Sequence, residues 1–343
     1  MPDVSAYTTL RLGGPARQLV PASSAEEIVR VARAAYPSGA PVLVLAGGSN
    51  VVVGDGEFPG TVLLVRSTGI TSTVAGTSVK LTVEAGEPWD AVVAAAVDAG
   101  WAGIECLSGI PGSTGATPIQ NVGAYGQEVA ETITAVRVYD RVTDEVLVMR
   151  PEDCVFAYRS SVFRHSDRWL VLSVDFRLTL SDKSGPVRYA ELARALDVPL
   201  GASAPLAEVR AAVLKLRAGK GMVLDAADPD TYSVGSFFTN PVLDAAAYAA
   251  LCGKAADEPP SWPASDGTVK VSAAWLIERA GFTKGYGGAG GVAISGKHTL
   301  ALTNRGNATT AALLDLAREI RGGVHARFGV TLHPEPVLVN CEL

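Results

Sequence analysis

Apolar residues recur at helical spacing in several stretches of the chain. Ser24 and Glu27 stand as in a capping box, immediately before the apolar positions Ile28, Val31 and Ala35. This arrangement predicts a helix that begins after Ser24. The same spacing predicts helices over residues 88–100, 206–216, 272–281 and 308–328. The last of these is the longest, and its apolar stripe is typical of core packing: Leu313, Leu316, Ile320 and Val324.

Runs of apolar and β-branched residues predict strands between these helices. Residues 169–180 alternate, with Leu170, Leu172, Val174 and Phe176 on one face, which predicts a long strand with one buried side. Two further runs predict a hairpin over residues 135–149. Shorter runs predict strands over residues 42–46, 51–53, 62–65, 79–84, 300–302 and 333–339.

The stretch over residues 107–126, LSGIPGSTGATPIQNVGAYG, organises the chain. It holds five glycines and no acidic residue, so its backbone can approach a ligand closely and present N–H groups to an anion. A second glycine turn, GGSN, lies at residues 47–50. Two such turns favour a main-chain cradle for phosphates, although each alone is equally compatible with a surface loop. Neither turn fits the Rossmann or the Walker pattern, which makes both of those folds improbable.

Composition narrows the class of protein. The chain has 343 residues, 48% of them hydrophobic and 19% charged, which suits a folded globular protein of two or three domains. The net charge of −6 argues against a nucleic-acid partner, since such partners are bound through clustered basic residues. The four cysteines are scattered without a C-x-x-C pair, which fits a reducing compartment and predicts no metal site.

Neither the opening residues nor the most apolar helical run suggests an association with a membrane. The opening residues, MPDVSAYTTLRLGG, lack a basic region followed by an apolar one, so no signal peptide is expected. The most apolar helical run, AVVAAAV at residues 91–97, is too short to span a bilayer. A cytoplasmic location is therefore expected.

Five motifs occur in one order along the chain. They are GGSN at residues 47–50, PGSTGATPIQNVGAYG at 111–126, YRSSVF at 158–163, GSFFTNP at 235–241 and PEP near the C-terminus. Together they resemble the UDP-N-acetylenolpyruvoylglucosamine reductases, also called UDP-N-acetylmuramate dehydrogenases. The resemblance covers nearly the whole chain; the second and fourth motifs are specific, whereas GGSN alone is weak.

The resemblance implies an α+β protein. Its fold would be a two-lobed FAD-binding fold of the vanillyl-alcohol-oxidase (PCMH) type plus a smaller α/β substrate-binding domain. We expect the first FAD-binding lobe at residues 1–68 and the second at 69–222. The substrate-binding domain would cover residues 223–328, and residues 329–343 would form a C-terminal strand that returns to the active site.

The resemblance also implies non-covalent FAD, with NADPH as co-substrate. The reaction would reduce the enolpyruvyl ether of UDP-N-acetyl-enolpyruvoylglucosamine to UDP-N-acetylmuramate, a precursor of peptidoglycan. No histidine lies in either glycine turn, so a histidyl tether is not expected, while Cys106 leaves a cysteinyl link open. The residues implied to hold the flavin are Gly47, Gly48, Ser49, Asn50, Gly112, Ser113, Thr114, Gly115, Gln120, Asn121, Gly123 and Ala124.

Three residues match the catalytic positions of the family. Arg159 would face the substrate carboxylate, since a guanidinium offers a fixed fork for such a group; the alternative is a structural pair with an acid such as Asp153. Ser236 would donate the proton, although by itself it reads as a turn hydroxyl. Glu335 would be the second acid, with a solvated strand end as its alternative and Glu342 as the nearby substitute.

The substrate would contact residues from two of the motifs and from the sequence between them. Thr239 occupies a position where many members have a basic residue, so one phosphate contact would be absent or would come from elsewhere, such as Lys284. Lys220 follows a helix end, where a solvated cation is equally expected. The candidate substrate-binding residues are Tyr158, Tyr189, Lys220 and Asn240.

Two competing functions remain at this point. One is an oxidase on the same flavin fold that passes electrons to oxygen, which the YRSSVF and GSFFTNP motifs disfavour. The other is a catalytically silent binder of nucleotide sugars, which the joint presence of Arg159, Ser236 and Glu335 disfavours. A monomer is expected, and among the histidines His298 alone lies in a stretch of interest, SGKHTL.

Overall fold

The computed structural model describes residues 1–36, 39–264 and 267–343. The chain divides into two compact units. Unit 1 comprises Met1–Pro2, Ala16–Gly48 and Pro59–Val223, and unit 2 comprises Asp3–Pro15, Ser49–Phe58 and Leu224–Leu343. The finer division into two FAD-binding lobes at residues 1–68 and 69–222 stays a prediction.

Unit 1 mixes helices with two sheets and a separate two-stranded hairpin, and its elements are numbered along the whole chain. The strands are Ala16–Ala22 (β1), Val42–Leu45 (β2), Phe58–Val65 (β4), Ile70–Ala75 (β5), Ser78–Glu84 (β6), Trp101–Ala102 (β7), Gly123–Ala124 (β8), Gln127–Glu128 (β9), Ile133–Asp140 (β10), Glu145–Met149 (β11) and Trp169–Leu180 (β12). The helices are Ala25–Ala35 (α1), Trp89–Asp98 (α2), Pro151–Cys154 (α3), Ala190–Leu196 (α4) and Leu206–Ala218 (α5). One sheet has the strand order β11-β10-β12-β6-β5, with β7 also paired to β12, the other has the order β1-β4-β2, and β8 pairs with β9.

The long strand β12 organises the main core of unit 1. It pairs antiparallel with both β10 and β6, so it lies inside the sheet. The predicted face of β12 is buried, and Phe176 on it packs against Trp89 of α2 with ring centroids 5.7 Å apart. Fully burying a side chain such as Phe176 contributes about 1.5–3 kcal/mol. The alternation in the sequence thus predicted this strand because one of its faces carries the core.

Unit 2 contains the C-terminal part of the chain. Its strands are Val51–Val53 (β3), Val242–Leu243 (β13), Ser261–Pro263 (β14), Val269–Val271 (β15), Val292–Ile294 (β16), Leu302–Asn304 (β17) and Val337–Val339 (β18). They pair in the order β13-β15-β14, with separate pairs β16-β17 and β18-β3. The helices are Ala245–Lys254 (α6), Ala273–Arg279 (α7) and Thr310–Phe328 (α8).

Two short segments from the beginning of the chain complete unit 2. Strand β3 pairs in parallel with β18 from the far end of the sequence. Leu10 is fully buried in the same core as Ile320 of α8, and its carbonyl accepts a hydrogen bond of 2.9 Å from Asn304 Nδ2. Because these contacts join distant parts of the sequence, local patterns did not reveal them.

Helix ends follow the predicted capping residues with small shifts. Ser24 caps α1 by accepting from the Glu27 N–H, whereas the Glu27 carboxylate accepts from the Ser23 N–H instead of that of Ser24. Ser272 caps α7 as predicted. Helix α8 begins at Thr310 and not at Ala308, and the strand predicted over residues 300–302 lies at Leu302–Asn304. Among the described residues, no helix combines the length and the apolar character needed to cross a bilayer.

The first turn of α8 supplies a test of this architecture. Asp55, next to β3, accepts hydrogen bonds from the N–H groups of Thr310 and Ala311 at 2.8 and 2.9 Å. A carboxylate at a helix N-terminus satisfies otherwise unpaired donors and the helix dipole. We expect Asp55→Ala to destabilise this end by about 1 kcal/mol and to accelerate hydrogen exchange of its amides.

The matched control is Asp98→Ala. Asp98 is an exposed carboxylate in the last turn of α2, where a negative charge is not stabilised by the dipole. Its removal should leave exchange in α8 unchanged. Unaltered exchange in the Asp55 variant as well would show that Asp55 does not hold this helix end.

Candidate active site

The two glycine turns meet in unit 1. A Cβ atom placed on Gly47 would lie 2.5 Å from the Cα atom of Gly112, far inside van der Waals contact. Only glycine permits that approach of one main chain to another. Gly48 adopts a positive φ of 59°. Ser49 and Asn50 continue the turn into unit 2, where the Asn50 carbonyl accepts from the Val337 N–H at 3.0 Å.

The first half of the long loop is fixed to the chain just before α2. The N–H of Thr114 donates to the Glu87 carbonyl at 2.9 Å, and the N–H of Gly115 donates to the Ala85 carbonyl at 2.8 Å. A side chain on Gly115 would come within 2.6 Å of Ala85 Cβ. These predicted cofactor-binding positions therefore sit on a rigid main-chain support, with Ser113 largely buried beside them.

A partly buried ion pair fixes the start of the loop. Asp90 on α2 accepts from the Gly109 N–H at 2.6 Å and from both terminal nitrogens of Arg210 at 2.7 and 2.9 Å. Burial raises the pKa of Asp90, but the hydrogen bonds from Arg210 and Gly109 outweigh burial and hold that pKa below its usual range. Gly109 has a φ of 70°, a conformation that favours glycine, and a Cβ atom there would lie 2.8 Å from Leu214 Cδ2.

Asn121 fastens the second half of the loop. Its side chain is 1% exposed. Its Nδ2 donates to Glu128 Oε2 at 2.7 Å and to the Ala157 carbonyl at 3.1 Å, and its Oδ1 accepts from the Ala130 N–H at 3.1 Å. The side-chain amide of Asn121 is thus engaged within the protein.

Arg159 rests on the carbonyls of the same loop. It lies in a tight turn in which Ala157 and Ser160 exchange two main-chain hydrogen bonds of 3.0 and 3.1 Å, and its φ is 52°. Its Nη2 donates to the Gly123 carbonyl at 2.8 Å, and its Nη1 donates to the Asn121 carbonyl at 3.4 Å. Strain at a non-glycine residue often accompanies a functional position.

The alternative partner considered for Arg159 has another role. Asp153 Oδ2 accepts from the main-chain N–H of Arg150 at 2.9 Å and so caps the short helix α3. The neighbouring Tyr158 is 47% exposed, and the Arg159 guanidinium carbon lies 5.5 Å from its ring centroid. The YRSSVF motif therefore presents an aromatic ring and a guanidinium together.

Strands β8 and β9 form a hairpin whose tip gathers two predicted substrate residues. Tyr125 and Gly126 at the tip both have positive φ, 48° and 83°. The ring of Tyr189 packs edge-on against Tyr125 at 5.5 Å, and Lys220 Nζ lies 5.8 Å from the Tyr125 ring centroid. Lys220 also pairs with Glu191 at 2.7 Å. Sequence reasoning passed over Tyr125, although it stands in the quoted motif.

Arg217 provides a test of whether an anionic cofactor fits this unit. Its Nη2 donates to the Met222 carbonyl at 2.9 Å, while its Nε is a buried donor without a partner among the described residues. A Cβ atom on Gly109 would lie 3.5 Å from that Nε. Burial lowers the pKa of Arg217 to about 10, opposed by Tyr125 and Asp90, so the group stays cationic at neutral pH. An unpaired cationic donor beside the glycine loop suits a phosphate or a flavin oxygen.

Cys106 does not suit a covalent flavin link. Its side chain is buried in an apolar cluster that includes Val187, Leu192 and Val209. Burial raises the pKa of its thiol to about 12, and the thiolate is the reactive form of cysteine. A covalent link to FAD through Cys106 is therefore not expected.

In unit 2 the main chain brings the segments of Ser236 and Glu335 together. The Phe237 N–H donates to the Leu300 carbonyl at 2.7 Å, and the Phe237 carbonyl accepts from the Glu335 N–H at 2.8 Å. Phe237 is fully buried, and Gly235 before Ser236 has a φ of 75°. Ser236 therefore sits between a glycine turn and a buried anchor.

The remaining motif residues extend this arrangement. The Asn240 amide oxygen accepts from the Ala273 N–H at 2.9 Å, at the first residue of α7. Thr239 donates to the His333 carbonyl through its N–H at 3.0 Å and through its hydroxyl at 3.4 Å. Thr239 thus joins the GSFFTNP segment to the segment that contains Glu335.

Two protein-family models match separate parts of the chain. A model of an FAD binding domain matches residues 16–149. A model of the C-terminal domain of UDP-N-acetylenolpyruvoylglucosamine reductase matches residues 228–339. The reductase of Salinispora arenicola is 69% identical over 99% of this chain and 95% of its own. The reductase of Thermobifida fusca is 56% identical over 98% of this chain and 96% of its own.

A solved structure is also similar over its full length. UDP-N-acetylenolpyruvylglucosamine reductase from Thermus caldophilus superposes with a TM-score of 0.68 and 26% identity, covering 98% of this chain and 97% of its own. Fold and glycine loops together define an FAD-dependent oxidoreductase of α+β class. At this identity and coverage the chain belongs to the UDP-N-acetylenolpyruvoylglucosamine reductase family.

The contact between the glycine turns leads to a prediction about cofactor binding. A methyl group on Gly47 would push this turn away from Gly112. We expect Gly47→Ala to weaken FAD binding about tenfold or more, measured by titrating the apoprotein with FAD. Gly185→Ala is the control, since a Cβ atom there would meet nothing within 4 Å. Equal affinities of the two variants would exclude this role of the contact.

The burial of the thiols leads to a second prediction. Cys252 is exposed, whereas Cys106 and Cys154 are buried, and burial raises the pKa of both buried thiols to about 12. In the native protein a disulfide reagent at mildly alkaline pH should modify Cys252 first and leave the buried pair unmodified until unfolding. Mass spectrometry of the denatured holoprotein should show no flavin adduct. An adduct on Cys106 would overturn the non-covalent assignment.

Proposed function

We propose that Arg159, Ser236 and Glu335 carry out the reduction that defines this family. The protein is an NADPH-dependent flavoprotein that converts UDP-N-acetyl-enolpyruvoylglucosamine to UDP-N-acetylmuramate in peptidoglycan precursor synthesis. The observation that supports the roles is the pairing of the Ser236 and Glu335 segments through one main-chain hydrogen bond of 2.8 Å. The position of Arg159 on the glycine loop is the corresponding observation in unit 1.

The glycine turns would hold the FAD. Backbone N–H groups at such turns suit the diphosphate, apart from those of Thr114 and Gly115, which donate to the Glu87 and Ala85 carbonyls. The buried Arg217 Nε offers a further donor. When bound, FAD supplies the hydride chemistry between NADPH and the enolpyruvyl group. The proposed contacts come from residues Gly47, Gly48, Ser49, Asn50, Gly112, Ser113, Thr114, Gly115, Gln120, Asn121, Gly123 and Ala124.

The reaction adds a hydride to the outer vinyl carbon and a proton to the inner one. Negative charge develops on the inner carbon and its carboxylate between these two events. Donors that are already positioned where charge develops usually make the largest contribution to catalysis. The site therefore needs a fixed cation and a fixed acid.

Arg159 would be the fixed cation. Its hydrogen bonds to the Gly123 and Asn121 carbonyls restrict the orientation of the guanidinium. A side chain on Gly123 would come within 3.2 Å of Arg159 Nη1, so the glycine allows this approach. A planar guanidinium suits a carboxylate better than a lysine would.

Ser236 would be the proton donor to the inner carbon. A serine hydroxyl is a weak acid, and it suits this task only because the acceptor is a strongly basic, carbanion-like centre. The anchoring of Phe237 on both sides fixes the neighbouring main chain. That rigidity favours a defined position for the hydroxyl.

Glu335 would act as the second acid and polarise the same centre together with Arg159. Its main-chain N–H bond to Phe237 supports it over Glu342. Glu342 is exposed, and its carbonyl accepts from Arg318 of α8 at 2.6 Å. The two glutamates therefore have separate surroundings within unit 2.

The UDP part of the substrate would contact both predicted and newly found residues. Tyr189 and Lys220 converge on Tyr125, which combines an aromatic ring with a cation suited to a diphosphate. Tyr158 and Asn240 complete the proposed set. Glu191 neutralises Lys220 in this structure, so diphosphate binding would require Lys220 to exchange partners.

We also propose that the protein works in the cytoplasm as a monomer, without nucleic acid or membrane as partners. The net charge of −6 supports the absence of nucleic acid. Light scattering after gel filtration would test the monomer, and a mass of two chains at micromolar concentration would contradict it.

The sharpest test separates the two half-reactions. We expect Ser236→Ala to be bleached by NADPH like the unmodified protein, because the variant keeps the flavin site. Reoxidation by the enolpyruvyl substrate should slow by about a hundredfold or more, since a positioned acid contributes on this scale. Anaerobic stopped-flow mixing with NADPH and then with substrate measures both steps.

Ser72→Ala serves as the control, since Ser72 is exposed on strand β5. It should leave both half-reactions unchanged. Normal reoxidation of the Ser236 variant would remove serine as the proton donor. Reoxidation by air in preference to the substrate would point to an oxidase.

A further inference from the structure

Two side chains join the ends of the long glycine loop in unit 1. Glu105 precedes the loop and Gln127 follows it directly. Gln127 Nε2 donates to Glu105 Oε1 at 3.0 Å, and Gln127 Oε1 accepts from the Cys106 N–H at 2.8 Å. We call this pair of interactions the Glu105–Gln127 clasp.

The glutamate of the clasp is fully buried. Its exposed fraction is 0%, and burying a charge without partners is very unfavourable. Its Oε2 accepts from the Gly103 N–H at 2.6 Å, while its main-chain carbonyl accepts from Ser108 Oγ at 2.6 Å. The carboxylate therefore depends on the amide of Gln127 for one of its two oxygens.

Donors and acceptors in the clasp fit in one arrangement. The two Glu105 oxygens accept, one from the Gly103 N–H and one from the Gln127 amide nitrogen. The Gln127 oxygen is committed to the Cys106 N–H, which fixes the orientation of its amide group. A buried network of this kind specifies one conformation when every member is satisfied.

The loop between Glu105 and Gln127 would have more conformational freedom if its ends were not joined. It is rich in glycine, which loses the most conformational freedom on ordering. Joining its ends restricts the conformations that it can adopt. A ligand that binds only one conformation of the loop has an apparent affinity reduced by the fraction of molecules in which the loop has that conformation.

We propose that the Glu105–Gln127 clasp is a positioning device that holds the glycine loop in the shape that binds FAD. This inference rests on the proposed role of the loop in holding the cofactor. Neither residue needs to touch the flavin. Both act through the main chain of residues 107–126.

Single exchanges should break the clasp. In Glu105→Gln, the new amide oxygen can accept from the Gly103 N–H. The new amide nitrogen then points at the Gln127 nitrogen, so that two donors face each other. In Gln127→Glu, two carboxylates face each other. We expect each single variant to bind FAD about tenfold or more weakly.

The double exchange should restore the clasp. With Glu105→Gln and Gln127→Glu together, the new glutamine can accept from Gly103 and donate to the new glutamate, whose other oxygen accepts from Cys106. All the hydrogen bonds reappear with the charge on the opposite side. We expect FAD affinity within about threefold of the unmodified protein.

The experiment is a titration of each apoprotein with FAD, with thermal unfolding of the same apoproteins measured in parallel. Matched controls are Glu145→Gln and Gln18→Glu, which make the same chemical changes at exposed positions and should not alter FAD affinity. Gln127→Ala is a milder variant for the case in which a single exchange does not fold, and it too should bind FAD more weakly.

Two results would overturn the inference. The first is single variants that lose thermal stability but bind FAD normally, which would make the clasp a general packing feature. The second is a double exchange that binds FAD no better than the single ones. A failure of the unmodified protein to bind FAD would instead refute the proposed function.

Discussion

The contact between two main chains, at Gly47 and Gly112, is the constraint on which the rest of the candidate site depends. Side chains are excluded from it because a Cβ atom at Gly47 would lie 2.5 Å from the opposing Cα. Other interactions secure that contact: carbonyls before α2 hold the loop, Asp90 fixes its start, and Asn121 fixes its later part. The guanidinium that would bind the substrate then rests on the loop carbonyls.

Local patterns were sufficient for the elements whose burial follows a regular period. The alternation in β12 and the stripe on α8 both correspond to buried faces. Helices α4 and α6 were missed, and α6 shows the reason: only Leu251 in it is buried, so no apolar period is visible. The joining of β3 to β18 could not be predicted, because no local pattern determines which distant strand becomes a partner.

Motif comparison identified candidate residues better than it described their environment. It singled out Arg159 and Asn121, yet only the structure shows that the Asn121 amide is engaged within the protein. Arg217 escaped notice because a single arginine near a helix end carries no signal. Its importance becomes visible only when its buried Nε is found without a partner among the described residues.

The composition of unit 2 bears on how the chain is made. Residues 3–15 and 49–58 belong to a unit whose remaining residues begin at Leu224, and β3 acquires its partner only when Val337–Val339 has been synthesised. During synthesis on the ribosome, these early segments have no partner until the intervening sequence has emerged, so apolar residues such as Leu10 stay exposed to solvent. A fragment that begins at Leu224 would for the same reason lack the part of the unit 2 core that residues 3–15 and 49–58 supply.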